Sequence, residues 1–335
     1  DGILSIEDPV SDYIPEFKGM NQGKPVLIKH LMFHSGGYFP QSRIVVDTVA
    51  AELGLDEAVV GDLAYNVELA QEGCRQVAGR LDAQEEFIGR PGEYFSYCND
   101  GYGLLSDIIY HHGGSDSYAD YLLEHILKPL GMERSFCDFV RPLKDENHAA
   151  LYAVIAGELT KVKDYHDNAF VLNGGGAMKS TLKDLKKYIA MYLNDGTGLN
   201  GTVIAKPETI TAMTTKHQMD SYVTDYGYGL DIKELNGLQV AGHGGSLPGV
   251  SSHLLWCREK GLGVIVLCNT EDVPVSGVAE AALSMGMGFK AERRRHHYEN
   301  KPWDAETLRA ACGVYASDEG TKVELFIDET GEVLL

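Results

Sequence analysis

At 335 residues, 44% hydrophobic and 23% charged, the chain has the composition of one large or two ordinary globular domains. Its 49 acidic residues against 29 basic ones leave a formal net charge of −20, which repels phosphate backbones and argues against general nucleic-acid binding. The longest clean apolar stretch, Leu262 to Cys268, falls far short of the roughly 20 residues of a membrane-spanning helix and reads as a buried strand.

Asp1 to Val10 opens without Met and reads as entry into a fold already under way: a turn at Gly2, a short extended piece, then a helix led by Pro9. Pro25 to Phe33 predicts another helix, with Leu27, Leu31, His30 and His34 at helical spacings. Val45 to Leu81 alternates acidic and apolar residues in a helical manner, Tyr102 to Tyr110 is a buried helix, and Tyr118 to Leu127 is an amphipathic one closed by Pro129 and Gly131. From Leu151 the pattern loosens into strands and loops up to Gly174-Gly175-Gly176. Ser180 and Thr181 with Asp184 then cap a helix that ends at Asn194-Asp195-Gly196.

Tyr226 to Ile232, Leu238 to His243, His253 to Arg258 and Leu262 to Asn269 read as an antiparallel meander, with turns at Asn236-Gly237 and Lys260-Gly261. Val275 to Met285 is a helix packed on it. Arg293 to His297 is a basic cluster suited to a solvated linker. After Pro302-Trp303, Val323, Leu325 and Ile327 alternate with polar or aromatic residues ahead of a turn at Glu329-Thr330-Gly331. About 30 residues cannot build an independent core, so both ends read as open.

The six cysteines (Cys74, Cys98, Cys137, Cys257, Cys268 and Cys312) lack zinc-like spacing, and Cys257 and Cys268 sit in apolar strands. Nothing demands disulfides. The compartment stays open, cytoplasmic or extracytoplasmic, with no signal peptide at the start of the chain. The adjacent pairs His111-His112 and His296-His297 make poor metal pairs, because neighbouring side chains diverge. No metal and no cofactor is expected.

Two segments carry chemistry. In Tyr97-Cys98-Asn99, an extended backbone turns Tyr97 and Asn99 to the same side, just ahead of a helix. A phenol with a pKa of about 10 is a poor base unless a cation stabilises its anion. The plainer alternative is a Tyr and an Asn that satisfy a helix-entry turn. In Gly242-His243-Gly244-Gly245-Ser246, glycines on a strand edge mark close ligand approach, and the imidazole can meet a carboxylate or carbonyl. The alternative there is a glycine-rich hairpin with an exposed His.

Taken in order, these segments resemble the serine β-lactamase-like family of class C β-lactamases, D,D-peptidases, penicillin-binding proteins and esterases. The first residues resemble its "DGxLxLDDPV" stretch, and Ile28 to Gly37 (IKHLMFHSGG) its "IRHLLTHTSG" segment. Tyr97-Cys98-Asn99 matches its Tyr-x-Asn motif, and Lys128-Pro129-Leu130-Gly131-Met132 its "PLGM". Gly174 to Leu185 resembles "AGGLxSTxxDL", and His243-Gly244-Gly245 stands where Lys-Thr-Gly stands in many β-lactamases.

The resemblance implies an α+β fold: an antiparallel β-sheet flanked by helices with a mostly helical subdomain, here without the N-terminal strands and the nucleophile helix. It implies a hydrolase domain over 1–290, a linker over 291–303 and the start of a C-terminal β-domain over 304–335. It assigns proton transfer to Tyr97, substrate holding to Asn99 and His243 beside Gly244 and Gly245, and an oxyanion-hole N–H to Ser246.

The family's nucleophile lies in a Ser-x-x-Lys motif upstream of the segment matched at residue 1. The pattern occurs in this chain only at Ser180-Thr181-Leu182-Lys183, inside the capping stretch, and reads as a cap. Cys98 is no substitute, because the backbone turns it away from its neighbours. Half the site is therefore expected here, in a hydrolase of small-molecule or peptide substrates, with a complementing N-terminal segment as a further partner. The alternative is a pseudoenzyme or binding module that keeps the cleft.

Overall fold

The computed structural model describes residues 2–41, 63–138, 140–162, 173–219, 223–291, 304–316, 322–328 and 333–334. The chain forms two compact units, 1–292 and 293–335. In the first, helical segments precede a four-stranded antiparallel sheet. They include α1 (Ile28–Met32), α2 (Leu63–Asp82), α3 (Asn99–His112) and α4 (Tyr118–Leu122), the last continued by one π-helical turn over Leu123–Leu127. Val10, Phe17, Leu31, Leu69, Leu81 and Leu104 form the core of this part. The helix expected over Pro25 to Phe33 is shorter, because Lys24–Pro25 pairs instead with Met20–Asn21. Of the helical stretch expected from Val45, residues 45–62 lie outside the described residues.

After α5 (Val140–Leu143) comes a hairpin, Tyr152–Ile155 with Glu158–Lys161, turned by Ala156 and Gly157 at φ 51° and 85°. Helix α6 (Leu182–Leu193) starts where the Thr181 hydroxyl accepts the Asp184 N–H at 3.2 Å, and ends at left-handed Asp195 and Gly196. Helix α7 (Pro207–Met213) leads into the sheet.

The sheet strands are Asp231–Leu235, Leu238–Leu247, Val250–Cys257 and Leu262–Cys268, neighbours in that order in an antiparallel meander. Asn236 and Gly237, both at positive φ, close the first hairpin as a two-residue turn suited to strand twist. Pro248-Gly249 closes the second. Three expectations change. The strand expected from Tyr226 begins only at Asp231. Its period-two apolar pattern is broken by Gly227, where a β-carbon would stand 2.2 Å from Met213 O, and by Gly229 at φ 77°. The second strand runs on to Leu247, so the Gly-His-Gly-Gly-Ser motif lies inside it. Leu262–Cys268 is not buried: it is an edge strand, paired only with Val250–Cys257 among the described residues, and Leu267 is 41% exposed.

One sheet face packs Ile232, Ala241 and Trp256, in register across three strands, against Ile189 and Tyr192 of α6. The other packs Val240, Leu255 and Cys257 against Ala279 and Leu283 of α8 (Val275–Gly286). Burying apolar side chains on both faces is the main term that holds this layer together.

The second unit holds α9 (Ala305–Ala311), capped by the Asp304 carboxylate, and a three-stranded sheet in which Lys322–Ile327 lies between Gly313–Ala316 and Val333–Leu334. The turn expected at Glu329 to Gly331 and the basic cluster from Arg293 lie outside the described residues.

Candidate active site

Tyr97 stands in extended chain, Cys98 is the N-cap of α3 at φ −144° and ψ 105°, and Asn99 is the first helical residue. Across from them, His243 projects from the Leu238–Leu247 strand. The Tyr97 and His243 rings lie 6.2 Å apart between centroids. Two residues 146 apart in sequence are thus ring neighbours. The Asn99 side chain lies beside the Gly174-Gly175 segment, where a β-carbon on Gly175 would stand 3.7 Å from its Oδ1. Those glycines permit a close backbone crossing at the entry of α3, since a β-carbon on Gly174 would stand 2.3 Å from Tyr102 O.

The polar ends differ in how they are engaged. The Tyr97 hydroxyl and the Asn99 amide make no side-chain hydrogen bond among the described residues, and Tyr97 is 45% exposed. Burial first, then the Asp231 carboxylate, pushes the Tyr97 phenol up, so it carries its proton at neutral pH. His243 is already held at both nitrogens. Its Nδ1 lies 2.6 Å from the Gly244 carbonyl, which can only accept, so Nδ1 carries the proton. Its Nε2 lies 3.0 Å from the Tyr226 hydroxyl. Burial, then the Tyr102 and Tyr97 rings, raises the Tyr226 phenol, which is therefore the donor in that bond. With Nδ1–H given to the Gly244 carbonyl and the Nε2 lone pair taken by Tyr226, the ring has no N–H left for a ligand oxygen in this arrangement.

The motif glycines have cross-strand reasons. A β-carbon would stand 2.0 Å from Leu254 O at Gly242, 3.0 Å from His253 Nδ1 at Gly244 and 2.6 Å from Ser252 Oγ at Gly245. The open element is the strand edge. The first sheet strand pairs with the second only as far as Gly242, so from His243 through Ser246 to Leu247 the second strand has a partner on one side only, among the described residues. Half of the backbone N–H and C=O groups of such an edge stay available to an incoming chain.

Two contributors were not singled out from the sequence. The sequence pattern marks Tyr226 only as part of a strand, and His34 only as a helically spaced position within the segment Ile28 to Gly37. His34 is buried, and its ring lies 4.2 Å from that of Tyr97 and 5.0 Å from that of Tyr226. The Ser180-x-x-Lys183 pattern is engaged at the start of α6. Ser180 Oγ lies 2.7 Å from Ser135 Oγ, which donates to Asp184 at 3.1 Å, and Lys183 is exposed. No cluster of three or more metal-ligating side chains occurs among the described residues.

The Beta-lactamase family model matches residues 1–284. The D-aminopeptidase of Brucella anthropi is 26% identical over 232 residues, 68% of this chain and 42% of that protein, so the chain spans under half the length of such curated relatives. Among solved structures, the octameric penicillin-binding protein homologue from Pyrococcus abyssi is 30% identical with a TM-score of 0.70, over 98% of this chain and 69% of that one. The D-stereospecific amidohydrolase from Streptomyces sp. shares the fold at 22% identity and a TM-score of 0.59, over 81% of this chain and 76% of that one.

Proposed function

This chain belongs to the Beta-lactamase family, and we propose that it builds the substrate wall of a serine hydrolase, one that cleaves an ester, an amide, a D-amino-acid peptide or a β-lactam through an acyl-enzyme. The observation that carries the reading is the pairing of Tyr97 with His243 at 6.2 Å beside the unpaired strand edge His243–Leu247. A substrate amide laid along that edge meets strand N–H and C=O groups, as an added strand would.

In this reading a serine hydroxyl attacks the carbonyl carbon, its proton passes to a base, and the carbonyl electrons move onto oxygen. The Ser246 N–H, together with the attacking serine's own N–H, holds that oxyanion. The tetrahedral centre collapses, the bond to the leaving group breaks, and Tyr97 hands that group a proton. Asn99 and His243, flanked by Gly244 and Gly245, hold the substrate. Water then cleaves the acyl-enzyme by the same steps in reverse roles.

The nucleophile and its lysine belong, on this account, to a polypeptide segment outside these 335 residues. Ser180 supports this, because its hydroxyl is engaged by Ser135 beside the Thr181 cap of α6. The open edge of Leu262–Cys268 and the exposed Val278 (53%) and Met285 (63%) of α8 offer such a segment apolar surface to pack on. A fluorophosphonate probe tests the assignment. The 335-residue chain should stay unlabelled and the longer natural polypeptide should take one probe per chain. Stoichiometric labelling of the 335-residue chain would contradict the assignment, and no labelling of either would favour a binding module that keeps the cleft.

A further inference from the structure

Helix α1 closes in a Schellman motif: Ser35 N–H donates to His30 O at 2.7 Å, and His34 N–H to Leu31 O at 3.3 Å. The motif requires a left-handed residue just past the helix end, and glycine normally fills it because a β-carbon there is crowded. Here the residue is His34, at φ 53°. Histidine is one of the few non-glycine types enriched in that region, and its contacts here offset the steric cost.

Its hydrogen bonds beyond α1 all fall on one short segment. The His34 carbonyl accepts the Ser96 N–H at 2.8 Å. Its Nδ1 lies 3.1 Å from both the N–H and the C=O of Cys98, so in either tautomer the ring engages that peptide. Its ring lies 4.2 Å from the Tyr97 ring, tilted by 39°, and the residue is 2% exposed. The next residue continues the seam, since Ser35 O accepts the Gly92 N–H at 2.9 Å. We propose that His34 is a positioning residue that clamps Ser96-Tyr97-Cys98 against the end of α1 and thereby sets where Tyr97 and Asn99 stand in the cleft.

The link to Asn99 is direct. Cys98 is the N-cap of α3, so the orientation of its peptide fixes where the helix begins. Burial pushes the His34 imidazole down to about 4, which keeps the ring neutral at working pH and the clamp uncharged. That the clamped segment serves catalysis rests on the hydrolase reading above, while the clamp itself does not.

Hydrogen exchange on the intact polypeptide decides it. His34→Gly relaxes the helix end and removes only the ring. The Cys98 amide should then exchange about tenfold faster or more, while the amides of Leu104 and Ile108 within α3 keep their native rates. His34→Asn tolerates the left-handed backbone and offers one acceptor, and should give an intermediate Cys98 rate. In the catalytically complete protein, kcat should fall with KM unchanged. A native Cys98 rate in His34→Gly would overturn the clamp, and so would loosening spread evenly along α3. If His34→Gly does not fold, His34→Asn decides by the same amides: faster exchange at Cys98 alone supports the clamp, and a native rate overturns it. Local loosening in a native polypeptide that hydrolyses nothing would sink the functional reading and leave the clamp standing.

Discussion

In the polypeptide that carries the nucleophile, Tyr97→Phe should lower kcat/KM by about 10²–10⁴-fold, or about 3–5 kcal/mol of transition-state stabilisation. The substitution deletes one oxygen that makes no hydrogen bond among the described residues, on a ring that is 45% exposed. Folding stability should therefore move by less than about 0.5 kcal/mol. Loss of rate without loss of fold separates a proton donor from a packing residue. The pH dependence has a definite sign. Burial and the Asp231 carboxylate raise the phenol above its ordinary value, so the donor form persists through neutral pH. Its loss should appear only as an alkaline fall in rate, absent from Tyr97→Phe. A Tyr97→Phe enzyme within threefold of native would remove Tyr97 from the chemistry.

Trp256→Ala should destabilise the first unit by about 3–5 kcal/mol. The side chain is 1% exposed, stacks on Tyr192 at 4.7 Å and joins Ile232 and Ala241 across three strands. Truncation leaves a cavity bounded by α6 on one side and by backbone on the other, which packed strands cannot easily close. Trp256→Phe should cost much less. It keeps an aromatic partner for Tyr192, and the indole N–H that it removes finds no acceptor among the described residues. Denaturant unfolding reads both variants: the midpoint falls in the order Phe then Ala, with the slope unchanged. A change under 1 kcal/mol for Trp256→Ala would mean that this face of the sheet is not the core.

The meander was legible because its hairpins are written locally, at Asn236-Gly237 and Lys260-Gly261. The start of the sheet was not. Tyr226, Tyr228 and Leu230 alternate as a strand would, but Gly227 and Gly229 bend the chain into a loop that brings Tyr226 onto His243. Apolar runs are equally silent about position, and Leu262–Cys268 has the composition of a central strand although it forms an edge.

In the candidate site, Tyr97, Asn99 and His243 are proposed from short motifs. Their support is not, because it comes from distant chain. The His34 contact with Cys98 spans 64 positions, and nothing in the local pattern around His34 announces it. The glycines beside His243 were expected to admit a ligand. They are accounted for by His253, Ser252 and Leu254 on the neighbouring strand, whose register no local pattern reveals.

The most direct measurement is a crystal structure of the intact polypeptide with a slowly cleaved D-amino-acid amide. The account predicts a ligand laid along the strand edge between His243 and Ser246, with its leaving nitrogen about 3 Å from the Tyr97 hydroxyl and its side chain beside Asn99. A ligand ordered elsewhere, with Tyr97, Asn99 and His243 all untouched, would contradict it.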